Sequence, residues 1–256
     1  MKLYVYDHCP YCVKARMIFG LTSTPVDVVY LPNDDEETPI RMIGKKMLPI
    51  LEKNDGTFLP ESLDILAYVD AMKNGAHQPP TKRVLAVGFV RWVVFFFFPV
   101  LHKSAFVRSA LQEPKHSALE KGGCPRLAAL LEKLDVFFYP LAMPRWVKAP
   151  LEEFNSESAR RYFINKKTTY IGDFDENLRR SPDYIDQANG WLRELDAYLA
   201  EKKDTETSLS YDDVHLFAAL RSLSIVKGLR YLPHVEEYRQ RLARASNVPL
   251  HDSIAL

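Results

Sequence analysis

Two cysteines separated by two residues, in Cys9-Pro10-Tyr11-Cys12, are the groups in this chain best suited to covalent chemistry. They follow a short apolar alternation from Lys2 to Tyr6 and precede a helical pattern through Ala15, Ile18 and Phe19. That context predicts a strand, then the motif, then a helix that ends near Gly20, a natural C′ residue. A helix beginning near Pro10 sets Cys9 at its N-terminus, where unpaired N–H groups and the helix dipole favour a thiolate. Proline suits the first helical position, because it has no N–H to lose and its φ is already helical. Cys12 lies less than one turn further on, so its sulfur can reach that of Cys9. One thiolate can attack a disulfide and the other can resolve the mixed disulfide that results. Read instead as half of a zinc site, the tetrapeptide needs two more ligands at close spacing. The third cysteine, Cys124, is far along the chain and His8 has no spaced partner, so redox chemistry is favoured and no metal is expected.

The elements that must position this motif follow from local pattern. A second strand is expected at Val26–Tyr30, then a short helix around Thr38–Ile43 closed by Gly44. Leu48–Leu51 and Thr57–Leu59 flank Asn54-Asp55-Gly56, a hairpin signal. Pro60-Glu61-Ser62 then opens a helix with Ile65, Leu66 and Val69 on one face. The order βαβ, αββ, α within 1–73 predicts a small mixed sheet with helices on its faces. Asn74-Gly-Ala-His-Gln-Pro-Pro80 reads as a linker.

The remainder reads as helices. Leu127–Tyr139 is expected to be broken by Pro140 and Pro144, and Ser156–Lys167 to be closed by Gly172. Ile185, Ala188, Leu192, Leu195 and Leu199 recur at helical spacing after Ser181-Pro182. Ser210 and Asp213 have the spacing of a capping box, with the following helix ending at Gly228. The tryptophans and phenylalanines of this half are read as core or interface packing. Arg160-Arg161 and Arg179-Arg180 are read as solvated faces, and Cys124 as incidental.

With these residues in place the chain resembles the glutaredoxins. Tyr6-Asp7-His8-Cys9-Pro10-Tyr11-Cys12 is similar to their active-site sequence, and Met47-Leu48-Pro49-Ile50-Leu51 resembles their cis-proline segment. Glu61-Ser62 resembles the glutathione-binding pair of glutathione transferases. The combination is most similar to the glutaredoxin 2 family, bacterial glutaredoxins built on a glutathione-transferase architecture. The likeness is specific over 1–73 and looser from about 124 onward. It implies an α/β thioredoxin-like domain followed by an all-α domain at 117–256, with Ser210 and Asp213 as the buried capping box of the second. It implies glutathione-dependent thiol–disulfide exchange, glutathione being reductant and cosubstrate and no metal taking part. Cys9 would attack a protein disulfide, or the protein half of a glutathione mixed disulfide, and Cys12 would resolve the intermediate. Glutathione would lie along Tyr11, Leu48, Pro49, Glu61 and Ser62, and the implied potential is about −200 to −230 mV. Two bland readings stay open from the residues alone: a trans Pro49 starting an edge strand, and Ser62 as a plain helix cap.

Length and composition set the outer bounds. The 256 residues allow one large or two smaller domains, and 47% hydrophobic content supports a real core. A net charge of +1, with no like-charge block longer than Asp34–Glu37, gives no electrostatic case for a nucleic-acid partner. Three cysteines do not make a disulfide scaffold and no signal peptide precedes the first strand, so a reducing, cytoplasmic setting is expected, with disulfide-bearing or glutathionylated proteins as partners and a monomer by resemblance. One stretch does not fit. Val84–Leu101 is apolar apart from Arg91, and residues 81–116 read as an insertion against the family pattern. It reads as a buried or surface-docked segment, as a sequence artefact, or, least favoured because nothing elsewhere prepares for a membrane, as a membrane-associating element, with Arg91 and Pro99 arguing against a simple span. The alternatives for the whole chain are a glutathione transferase or dehydroascorbate reductase on the same fold, and a redox-regulated interaction or membrane module without enzymatic activity.

Overall fold

The computed structural model describes residues 1–73, 122–202 and 209–256. The predicted linker at 74–80 and the apolar insertion at 81–116 lie outside the described residues. The first part contains β1 (Lys2–Val5), α1 (Pro10–Leu21), β2 (Asp27–Tyr30), α2 (Glu37–Ile43), β3 (Ile50–Glu52), β4 (Phe58–Pro60) and α3 (Ser62–Lys73). The strands form one mixed sheet in the order β2-β1-β3-β4, with β1 parallel to β2 and antiparallel to β3. The alternation seen in sequence sends Leu3 and Val5 into the core while Lys2 stays exposed.

Helix α1 is buried on nearly every side, with Lys14 and Arg16 buried among its apolar residues. It packs on α3 within its own domain and on two helices of the other domain. Sequence placed Gly20 just past the end of this helix. Instead α1 runs through Gly20 to Leu21, and the glycine serves close approach. A Cβ built there would lie 1.8 Å from the Ser246 carbonyl oxygen. Gly20→Ala is therefore expected to lower unfolding free energy by about 1–3 kcal/mol in urea denaturation, because the overlap outweighs the helix propensity of alanine.

The second part is all helix: α4 (Pro125–Glu132), α5 (Phe138–Trp146), α6 (Glu157–Ile171), α7 (Phe174–Arg179), α8 (Ser181–Lys202), α9 (Tyr211–Leu223) and α10 (Pro233–Ser246). Helix α9 is its core element, with every residue from Asp213 to Leu223 buried. It begins in a buried capping box. The Ser210 N–H and hydroxyl donate to Asp213 Oδ2, each at 2.8 Å, and the Asp213 N–H donates back to Ser210 Oγ at 3.4 Å. Three boundaries differ from expectation. Pro140 and Pro144 do not break a helix but lie inside α5. Pro140 sits in its first turn, where an N–H has no partner anyway. The break comes earlier, at a 3₁₀ turn over Lys133–Val136. Helix α9 ends at Leu223, where the Ser224 hydroxyl donates to the Arg221 carbonyl at 2.6 Å, and Gly228 belongs to the loop beyond. Helix α6 continues to Ile171.

Candidate active site

The strand register collects the predicted residues at one edge of the sheet. Tyr4 lies opposite Ile50, and Ile50 opposite Pro60. The end of β1, the Leu48-Pro49 segment before β3 and the Glu61-Ser62 segment after β4 therefore share that edge. The Cys9 motif follows β1 directly. Cys9 is the extended residue before α1, and its carbonyl accepts the first helical bond, from the Val13 N–H at 3.0 Å. Pro10 takes the first helical position.

The two thiols are free and differ in environment. Cys9 is half-buried and Cys12 is fully buried. The Tyr6 N–H donates to Cys12 Sγ at 3.4 Å. A hydrogen bond from the Cys12 thiol leads the influences on Cys9; burial opposes it, and the charge of His8 and the N–H groups of Cys12 and Tyr11 add to it, bringing Cys9 down to about 6. Burial and the negative charge on Cys9 push Cys12 upward. Near neutral pH the pair is thus one thiolate and one thiol, and the thiolate is the more accessible sulfur.

The Leu48-Pro49 peptide is cis. Glu61 has φ of 71°, an uncommon region for a non-glycine residue and one that concentrates at ligand sites. Its carbonyl accepts from the Ile65 N–H at 3.0 Å, which makes it the start of α3. The N–H groups of Ser62 and Leu63 therefore open the helix and face away from it. Ser62 is buried, while the Glu61 carboxylate is open to solvent, 3.7 Å from Lys45 Nζ. Tyr11 stands half-buried beside the motif, with Lys14 Nζ 5.2 Å from its ring centre.

The helical domain supplies groups that sequence reading missed. Glu153 accepts from the His8 backbone N–H at 2.9 Å and meets His8 Nδ1 at 2.6 Å. Asp7 meets Arg221 of α9 and His251 near the C-terminus. Lys167 and Tyr139 both lie within electrostatic reach of Cys9. No local signal identifies these residues, because their partners lie more than a hundred positions away in the chain. The aromatic residues do pack as expected, with Trp146, Phe154 and Phe163 buried around His8. Arg160 departs from expectation: it is half-buried and donates to the Val147 carbonyl, whereas Arg161, Arg179 and Arg180 are exposed. Cys124 stands before α4, its N–H donating to Asp212 at 3.0 Å. Among the described residues no group of His, Cys, Asp and Glu could hold a metal ion, and no helix is long and apolar enough to cross a membrane.

Comparison with known proteins agrees with this geometry. The family model for the C-terminal domain of glutaredoxin 2 matches residues 126–255, and that for the N-terminal domain of glutathione S-transferase matches residues 3–77. The chain is 36% identical to glutaredoxin 2 of Escherichia coli (strain K12), with both chains covered in full. It is similar in structure to glutaredoxin 2 from Salmonella typhimurium in complex with glutathione, with TM-score 0.79 and 36% identity over 100% of this chain and 98% of that one. A glutathione S-transferase from Sinorhizobium meliloti 1021 shares the fold alone, with TM-score 0.52 and 15% identity over 94% of this chain and 87% of that one. The chain belongs to the glutaredoxin 2 family, and it is an enzyme of the glutaredoxin type, a glutathione-dependent oxidoreductase.

Proposed function

We propose that Cys9 and Cys12 are the working dithiol and that glutathione both presents substrate sulfur to them and regenerates them. The asymmetry of the two sulfurs carries this reading: an accessible thiolate at a helix start, and a buried thiol hydrogen-bonded to it. With a protein disulfide, the Cys9 thiolate attacks one sulfur and the partner sulfur leaves as a thiolate. Cys12 then loses its proton and attacks Cys9 Sγ, releasing the second protein thiol and leaving a Cys9–Cys12 disulfide. Two glutathione molecules reduce that disulfide in successive exchanges and leave as glutathione disulfide. With a glutathione mixed disulfide, the glutathionyl sulfur is the one attacked, because the peptide-binding groups share the sheet edge with Cys9. That replaces the protein-half attack expected from sequence.

In this reading the Leu48 backbone pairs with the cysteinyl unit of glutathione as an added strand would. The N–H groups and hydroxyl at Ser62 bind the γ-glutamyl carboxylate, Glu61 accepts from its ammonium group, and Tyr11 flanks the sulfur. The glutathione complex of the Salmonella typhimurium relative supports glutathione as the ligand. The substrates are disulfide-bearing or glutathionylated proteins, and the setting is a reducing, cytoplasmic one that regenerates the dithiol.

Ser62→Ala tests the glutathione site. Losing a hydrogen bond to a charged carboxylate is expected to raise KM for glutathione about tenfold or more while kcat changes little. Steady-state kinetics with varied glutathione checks this; an unchanged KM in the folded variant removes Ser62 from the site.

A further inference from the structure

We propose that Glu153 is a positioning residue for the thiol chemistry: delivered by the helical domain, it holds His8 beside Cys9 and through His8 governs the reactivity of the two cysteines. The inference rests on Cys9 being the attacking thiol.

The geometry is that of a carboxylate built around one histidine. Glu153 lies in a 3₁₀ turn between α5 and α6, and its side chain is fully buried. One oxygen, Oε1, takes both the backbone N–H and Nδ1 of His8, fixing the peptide and the ring immediately before Cys9. The ring is enclosed by Tyr6, Trp146, Phe154 and Phe163, with centroid separations of 5.6, 5.0, 5.2 and 5.1 Å. In that aromatic enclosure a bare carboxylate is costly unless it is hydrogen-bonded, and His8 supplies both bonds to Oε1; Oε2 has no partner among the described residues. The turn is tied to the sheet domain by the Asn33 N–H, which donates to the Glu153 carbonyl at 2.9 Å.

The pair is oriented with respect to the two sulfurs. Burial pushes the Glu153 carboxyl upward, and its bonds to His8 more than reverse that, so it stays ionised. A charge on His8 favours the thiolate of Cys9, and the negative charge at Glu153 disfavours that of Cys12. One hydrogen-bonded pair thereby acts in opposite senses on thiols three positions apart. Among the described residues, the other titratable groups shown within electrostatic reach of Cys9 include Cys12, Tyr6, Lys14 on α1, and Lys167 and Tyr139 of the helical domain. The test below changes none of them.

The experiment is the pH dependence of Cys9 alkylation by iodoacetamide in the full-length protein, read by peptide mass spectrometry. It compares wild type with Glu153→Gln, His8→Gln and the double variant. Removing the Glu153 charge acting directly on Cys9 would make the thiol more acidic. Removing it through His8 makes the thiol less acidic, so the sign identifies the route. The expected result is an upward shift of the Cys9 midpoint, with alkylation at pH 5 about tenfold slower in each single variant and no slower in the double. A purely structural role would lower thermal stability and leave the midpoint in place. An unmoved or lowered midpoint in folded Glu153→Gln, or single-variant shifts that add in the double, overturns the proposal. If Glu153→Gln does not fold, an unmoved Cys9 midpoint in His8→Gln still overturns the proposal, since Glu153 is held to reach Cys9 only through His8. A wild-type Cys9 with an ordinary thiol midpoint would instead overturn the underlying assignment of Cys9.

Discussion

Asp7→Ala is expected to lower unfolding free energy by about 3–5 kcal/mol, the typical cost of removing one partner from a buried ion pair. Asp7 Oδ1 accepts from Arg16 Nη1 at 2.6 Å and from Arg221 Nη2 at 2.8 Å, while Oδ2 meets His251 Nε2 at 2.7 Å. The Asp7 carbonyl accepts a further bond from Arg221. The Arg221 side chain is fully buried on α9, and its Nε donates to the Pro249 carbonyl at 3.1 Å. One carboxylate thus neutralises a guanidinium of its own domain and one of the helical domain. Without it both lose their direct carboxylate partner in a low-dielectric interface.

The same site predicts a pH dependence. Burial pushes the Asp7 carboxyl upward, but the Arg221 charge, the His251 bond and the Arg16 charge outweigh burial and hold it well below the usual carboxylate range. A carboxyl depressed in the folded state contributes stability that is complete above its unfolded value of about 4 and is lost as pH falls toward its folded value. Urea denaturation of wild type should therefore weaken steeply below about pH 4, and Asp7→Ala should show a shallower decline from a lower plateau. A variant within about 1 kcal/mol of wild type at neutral pH would contradict the clamp.

The second large effect concerns the sulfurs. Cys9→Ser is expected to reduce turnover of a small glutathione mixed disulfide to background, a loss on the order of 10⁴-fold or more, since no other group supplies the nucleophile. Cys12→Ser is expected to keep that activity within about tenfold of wild type, because glutathione itself can resolve the Cys9–glutathione adduct. The same variant should lose most reduction of protein disulfides, where the buried Cys12 thiol must displace the bound protein. A glutathione transferase or dehydroascorbate reductase would need no second cysteine, so an absolute indifference to Cys12 with protein substrates would favour that class. Coupled assays of both variants on both substrates separate the cases.

What sequence made legible is what local pattern encodes. The strand, the Cys-Pro-Tyr-Cys turn and α1 form one continuous signal of period two followed by period 3.6, and the structure has them in that order. The Ser210–Asp213 box is a spacing of three, readable without any partner element. Pro49 and Ser62 were marked by the family resemblance, and the strand register brings them to the edge where Cys9 lies. The groups that sequence missed are long-range by nature. Glu153 lies 145 positions from His8, Arg221 lies 214 from Asp7, and His251 lies 244 from it. Each looks like an ordinary surface charge until the helical domain closes on α1. Gly20 and Pro144 were misread for a related reason. Both are helix breakers by propensity, and both are held inside helices by tertiary packing, Gly20 against the backbone of Ser246.

The most direct test of the central claim is to trap the intermediate. Cys12→Ser protein would be incubated with glutathione disulfide, quenched in acid and mapped by mass spectrometry. The account predicts one glutathione per chain, attached at Cys9, with Cys124 unmodified; wild type treated alike should carry a Cys9–Cys12 disulfide and no adduct. Adduct at Cys124, or none on folded protein, would contradict the assignment of Cys9 as the attacking thiol and with it the exchange mechanism.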